Sequence, residues 1–413
     1  MSKRIQNSQY FAALLLIITL VSFWACAENN TETSLEEGGV ELQQYRSELQ
    51  QGWNLLERGE YLQALYLTET LLQDVGEYPP TYFLRGRIFS ELNQFDKAEA
   101  EYEQILEIDP DYQSVHFNLG NNYFRQTRFV SAIEQYKKEL ANYPDPSVYL
   151  NLGRTYYKID KADSARIAYQ NALDSNENFS DAHYRLGVLL KNEGELAEAK
   201  FHVEQALDDN SSNADYNLLM GQLLYQEQQF EEAAKYMKRV INLDPSNHGA
   251  NYTLGLILQS QGKEDTAQGY LDKASYYQSQ QDSLEALRNL TIEYPDVIDN
   301  WVNLAKKYEQ LGEYSRAIRA YNSALMIQPQ NLSIHTNIGN LYYLQGNADL
   351  ALNKYESVIQ RDSTVTDALL NMGVVYANMG NYSEAKIAWQ RVLQYDPQNQ
   401  LADNYLSKIN SMN

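Results

Sequence analysis

Apolar residues along this chain recur with a helical step, and the helices they predict are short and paired. From about residue 45 onward, apolar positions three and four apart fill two segments per block, with a glycine or polar residue splitting each block near its middle. Two columns in these blocks hold only small side chains. Alanine stands at Ala64, Ala98, Ala132, Ala165, Ala199, Ala233, Ala267, Ala317, Ala351 and Ala385. Successive members lie 34 residues apart, except for 33 between Ala132 and Ala165 and 50 between Ala267 and Ala317. Twelve residues before each alanine stands Gly52, Gly86, Gly120, Gly153, Gly187, Gly221, Gly255, Ala305, Gly339 or Gly373.

Large residues keep the same period. Four residues after the alanines come Thr68, Tyr102, Tyr136, Tyr169, Val203, Met237, Leu271, Tyr321, Tyr355 and Trp389. Where two antiparallel helices cross closely, one position must be nearly free of side chain so that a bulky partner can enter, and the two columns supply that pairing. Helices this short are marginal alone. Each pair must therefore lend its other face to the next pair, and the array needs a cap at its end.

The unit resembles the tetratricopeptide repeat, most fully in Trp301, Leu304, Tyr308, Gly312, Ala317, Tyr321, Ala324 and Pro329. The likeness covers roughly Tyr45 to Asn399. It implies an all-α superhelical solenoid of about ten helix-turn-helix repeats. Seven repeats over residues 45–281 and three over 298–399 would be separated by an insertion at 282–297 and closed by a capping helix at 400–413. Asp282 followed by Glu285 has the form of a capping box, which favours a separate helix from about Ser283 to Ile292 over one continuous long helix, serving as a passive insertion or as a hinge or docking element. In the cap, Leu401, Tyr405, Leu406 and Ile409 form the apolar stripe.

The first 25 residues have the form of a signal peptide. Lys3 and Arg4 precede an uncharged apolar run from Phe11 to Trp24, which ends at Cys26, the only cysteine. A small residue before a lone cysteine resembles a bacterial lipoprotein leader, with Phe23 where that family more often has leucine. The resemblance implies a lipid on Cys26 and a place in the cell envelope. Ala25 and Ala27 also spell the pattern of an ordinary secretory cleavage site, so soluble export and an uncleaved anchor remain open. Residues 26–44, rich in Asn, Thr, Glu and Gly, read as a flexible acidic tether.

Charge narrows the functional classes. The chain carries 55 acidic against 33 basic side chains, a net charge of −22, which disfavours general nucleic-acid binding. No H-E-x-x-H, C-x-x-C, G-x-S-x-G or phosphate-loop pattern occurs. His116, His183 and His335 occupy the position four before the glycine column, where Trp301 also stands, and read as packing residues. No enzyme, cofactor or metal is therefore expected.

The candidate working surface is the inner face of the first helices, expected to be concave. Helical geometry places there the residues six and three before, and one, four and five after, the glycine column. Repeats 3 and 4 present Phe117, Asn121, Phe124, Arg125, Leu150, Arg154, Tyr157 and Lys158, a local reversal of sign in an acidic chain. An extended protein segment, acidic or carboxylate-ending, fits that stripe. An apolar stripe continues through Tyr184, Val188, Tyr225, Tyr252 and Leu256. Some members of the repeat family clamp a terminal carboxylate with two asparagines, two lysines and an arginine. Asn121, Asn151 and Arg185 stand at matching places, whereas Phe117 and Asp181 replace the lysines. Asparagine recurs at Asn118, Asn151, Asn217, Asn303, Asn337 and Asn371, which favours a structural use. The expected function is a non-catalytic protein-binding scaffold on a membrane, with a periplasmic carrier of a small ligand or wall glycan as the alternative.

Overall fold

The computed structural model describes residues 39–410, and the leader, Cys26 and most of the expected tether lie outside the described residues. Helices account for all the regular structure among the described residues, from Gly39–Glu57 to Gln400–Asn410. They pair into ten repeats followed by one further helix. None of the described helices is long and apolar enough to cross a membrane. The chain divides into two compact units, one of Gly39–Ser90 and Gln94–Tyr277, the other of Glu91–Asn93 and Gln278 onward. In the first unit the core runs from repeat to repeat, through Tyr102, Leu119 and Tyr136 to Tyr169, Leu186 and Leu223. In the second, Trp301, Tyr321, Tyr355 and Trp389 are buried.

Size complementarity sets the spacing of each pair. Every alanine of the small column is buried, nine of the ten at 0% exposure. A methyl group added at Gly86 would lie 2.7 Å from the Tyr102 ring, at Gly120 2.5 Å from Tyr136, at Gly153 2.5 Å from Tyr169 and at Gly339 2.6 Å from Tyr355. Bond-length-scale intrusion of this kind cannot be absorbed by a buried ring. Repeat 1 solves the problem differently. Thr68 is too short to reach Gly52 and donates its hydroxyl to Leu65 O at 2.8 Å, so Leu84 of repeat 2 enters instead, 2.5 Å from the position of an added methyl.

Two further columns fix the turns. Seven residues after the small column of the first helix, every repeat places one residue in the left-handed region, at φ between 56° and 84°. Six are glycines, and Asn93, Thr127, Asp160 and Gln228 fill the others. Glycine adopts that conformation without the Cβ clash the rest must bear. The position four before the small column ties down the turn between repeats. Trp301 Nε1 donates to Pro295 O at 2.7 Å, Asn217 Nδ2 to Ser211 O at 2.9 Å and Asn251 Nδ2 to Pro245 O at 3.2 Å. His183 Nε2 and His335 Nε2 meet the carbonyls of Glu177 and Pro329 at 2.9 Å in the same manner. A carbonyl can only accept, so His183 carries its proton on Nε2, whereas His335 Nε2 also meets Arg361 Nη1 at 3.2 Å. These histidines serve the backbone.

Three expectations are corrected. The first helix begins at Gly39, so residues 39–44, read as tether, already belong to it. The separate helix expected within 282–297 does not form, because the second helix of repeat 7 runs unbroken from Glu264 to Glu293. With no Pro or Gly after Gly269 the backbone has no reason to stop, and Asp282 accepts from Gln278 Nε2 at 2.7 Å rather than capping a new helix. In the terminal helix, Leu401 is 52% exposed. Ala402 is buried in its place, Ile409 is buried as expected, and Tyr405 stacks on Trp389 at 4.9 Å.

Two predictions follow from the packing. Gly120→Ala should lower stability by about 1–3 kcal/mol through overpacking, whereas Gly269→Ala, in the helix Glu264–Glu293 with nothing within 4 Å of the added methyl, should raise it by up to about 1 kcal/mol through helix propensity. Chemical denaturation of the two variants reads the opposite signs directly. The second concerns the pair His183 and His202, both 8% exposed, with their Nδ1 atoms 2.8 Å apart. Burial, and then the neighbouring His183, holds His202 down at about 4, against an ordinary value of 6.5. The unfolded chain therefore takes up the proton first. This stabilisation is complete above pH 6.5, is lost as the pH falls toward 4, and changes no further below that. Thermal melts between pH 7 and 4 should show the loss, and His202→Gln should flatten it.

Candidate functional site

The first helices of repeats 3 to 5, Val115–Arg125, Pro146–Lys158 and Ser180–Glu193, carry the expected cationic and aromatic residues. Asp145 caps the middle one, accepting from Ser147 N at 2.7 Å with Pro146 in the first turn, where a missing N–H costs nothing. Between repeats 4 and 5 lies a cleft of about 270 Å³, lined by Phe124, Arg154, Tyr157, Lys158, Tyr169, Arg185 and Val188. Phe124 packs edge-on to Phe129 at 5.6 Å, and the Arg154 guanidinium sits 5.4 Å over its ring. Asn192 Nδ2 donates to the Tyr157 hydroxyl at 2.6 Å and holds that ring in place.

Register explains how the cleft arises. The residue one after the glycine of one repeat faces the residue two before the glycine of the next. At the junction of repeats 3 and 4 this pair is Asn121 and Asn151, with Asn151 Nδ2 donating to Asn121 Oδ1 at 3.2 Å; at repeats 9 and 10 Asn371 donates to Asn340 at 2.8 Å. The ring-column tyrosine adds a second donor to the same oxygen, Tyr136 at 2.8 Å and Tyr355 at 2.7 Å. At repeats 4 and 5 the corresponding residues are Arg154, Arg185 and Tyr169. Two cations and a hydroxyl line the cleft where the junctions of repeats 3–4 and 9–10 close a hydrogen-bonded triad.

Electrostatics sharpen the contrast. Burial, and next the adjacent Arg185 charge, hold Arg154 below the usual arginine value, though it stays cationic. Arg154 donates to Asn151 Oδ1 at 3.0 Å, and Arg185 lies 5.1 Å over the Tyr184 ring. Among the described residues, neither arginine nor Lys158 makes an ion pair. Tyr169 is 1% exposed, its hydroxyl has no hydrogen-bond partner among the described residues, and burial pushes its ionisation up to about 12. The hydroxyl therefore remains a donor. Asp181, which replaces a clamp lysine, accepts from Tyr216 at 2.8 Å.

The other expected site residues separate into roles. Arg125 donates to Ser90 O at 2.7 Å and lies 4.9 Å over Phe95, binding repeat 3 to repeat 2. Asn121 is engaged in its triad. Phe117, half-buried, leans on Tyr136 at 6.1 Å. Leu150 is corrected from groove to core: it is 7% exposed within the cluster that joins repeats 4 and 5. Tyr184 and Tyr225 are half-buried against Tyr216 and Phe230, at 5.2 and 5.5 Å, while Tyr252 is 53% exposed. The sequence reading missed Tyr169 as a cleft residue and gave Arg185 no partner. The facing of Asn121 and Asn151 at the preceding junction, seen in the structure, is what shows which positions meet. No group of three or more His, Cys, Asp or Glu among the described residues could hold a metal ion.

Comparison with known proteins places these repeats. Profiles described as TPR repeat match residues 86–127 and 305–346, others described as tetratricopeptide repeat match 150–214 and 342–409, and one for anaphase-promoting complex, cyclosome, subunit 3 matches 192–274. The chain is 31% identical over 154 residues to the anaphase-promoting complex subunit CDC16 of Saccharomyces cerevisiae, covering 35% of this chain and 18% of that protein. It spans between 10% and 33% of the lengths of the curated relatives it matches. Among solved structures, PilW, a type IV pilus biogenesis factor, aligns with 22% identity, covering 52% of this chain and 99% of PilW at a TM-score of 0.45. YrrB, described as a TPR protein with an unusual peptide-binding site, aligns with 23% identity over 44% of this chain and 95% of its own, at a TM-score of 0.37. On the matched segments and the small-to-large packing they share, the chain carries tetratricopeptide repeats.

Proposed function

We propose that this protein is a non-catalytic scaffold of the bacterial cell envelope, held to a membrane by a lipid on Cys26, and that it binds a protein partner along the first-helix face of repeats 3 to 6. The observation that carries the binding site is the set of cations and aromatic rings between repeats 4 and 5, which make no ion pair among the described residues of a chain of net charge −22. Residues held in that state favour a ligand that supplies the missing charge. The stretch shared with a subunit of a multiprotein complex supports a role in assembly. The anchor rests on the leader: basic Lys3 and Arg4, the apolar run and the lone cysteine after Ala25.

Replacing Arg154 and Lys158 by glutamate should leave the helical circular-dichroism signal unchanged and remove at least one partner from a pull-down. An unchanged set of partners would count against the assigned face. Cys26→Ser should abolish metabolic labelling with a radioactive fatty acid and release the protein from membranes. Persistent labelling, or full membrane retention, would contradict the anchor.

A further inference from the structure

At the junction of repeats 4 and 5 Arg154, Arg185, Lys158 and Tyr169 meet the cleft as donors. Arg154 and Arg185 take the positions at which Asn121–Asn151 and Asn340–Asn371 pair elsewhere. Tyr169 brings a buried hydroxyl whose equivalents, Tyr136 and Tyr355, donate to Asn121 and Asn340. Lys158 adds an ammonium at the rim. The two guanidinium charges on the cleft repel each other, and their protein contacts, Asn151 and the Phe124 ring for Arg154 and the Tyr184 ring for Arg185, bring no formal negative charge to offset this. The walls are apolar or aromatic: Phe124, Tyr157 and Val188.

We propose that this cleft receives a phosphate monoester, presented by a protein partner on a ring or short apolar stem. The proposal rests on the reading of this face as the partner-binding surface and names what the partner inserts. A carboxylate brings one charge and two oxygens, which leaves a cluster of three cations and a hydroxyl incompletely matched. A phosphate monoester carries about −1.5 to −2 charge near pH 7 and three acceptor oxygens. Arginine forks bind such a group through paired hydrogen bonds, and a cleft of about 270 Å³ leaves room for the stem beside the head group. The charge of the whole chain is no obstacle. A nucleic-acid backbone would have to pass along the acidic surface, whereas a single group needs only the cleft.

The test uses phenyl phosphate as the probe, with benzoate and inorganic phosphate for comparison, and isothermal titration against the intact protein. Phenyl phosphate should bind at least about tenfold more tightly than either. Its affinity should fall about fourfold from pH 7.5 to 5.5, because the second phosphate ionisation lies near 6, while that of benzoate stays nearly level. Lys158→Gln, at an exposed position where folding is safe, and Arg185→Gln should each weaken phenyl phosphate about tenfold, and Arg239→Gln, outside the cleft, should not. Equal or tighter binding of benzoate, an unchanged affinity in both cleft variants, or binding only to vesicles containing phosphatidic acid would overturn the proposal. If partners are captured through this face but phenyl phosphate fails to bind, the phosphate assignment falls and the scaffold reading stands. If phenyl phosphate binds as expected while Arg154→Glu with Lys158→Glu changes no partner, the scaffold reading of this face falls instead.

Discussion

Contact between a missing side chain and a large one governs this molecule. The Tyr136 ring occupies the space a methyl on Gly120 would need, and the same holds for Tyr102 at Gly86, Tyr169 at Gly153 and Tyr355 at Gly339. Close crossing at those points aligns the rest: it buries the alanine column and forces the chain through a left-handed residue at each helix-to-helix turn. The tolerance for error is small because interiors are close-packed. Repeat 1 shows that the socket must be filled even when its own repeat cannot fill it, since Leu84 is borrowed for Gly52.

A polar layer lies over this packing and differs from junction to junction. Tyrosine hydroxyls emerging from the sockets meet asparagine carbonyls at two junctions, and the side chains four before the glycine column hold the turn carbonyls through N–H groups of Trp, Asn or His. Buried donors must find acceptors, so each such position is a local constraint with few solutions. The junction of repeats 4 and 5 is the one at which these positions hold Arg, Arg and Tyr. A change of two residues, Asn to Arg at both facing positions with the tyrosine kept, turns a closed hydrogen-bond network into a cationic cleft.

Most of the frame was legible in the sequence because it is periodic. Columns of Gly, Ala and Tyr are visible without coordinates, and the burial of Ala132 and Ala317 follows from them. What was not legible is what breaks the period. Asp282 and Glu285 have the spacing of a capping box, yet helix continuation is favoured wherever no Gly or Pro interrupts it, and Asp282 bonds within the helix. Leu150 and Phe124 both fall on the face assigned by helical geometry, but a neighbouring repeat covers the first and leaves the second lining a cleft. Which residues of adjacent repeats face each other depends on how the pairs stack, and Arg185 could be matched with Arg154 only after Asn151 had been seen against Asn121.

Within each of the two compact units, helices of neighbouring repeats pack on each other, and the turn column recurs at a fixed offset in every repeat. A gene built on such a period can lose, duplicate or exchange a whole period by recombination without disturbing the joints on either side. The cleft, by contrast, is the joint property of two neighbours, with Arg154 and Tyr169 from one and Arg185 from the next. It can be inherited or transplanted only as an adjacent pair, so an exchange that separates the two periods would preserve the architecture and erase the recognition.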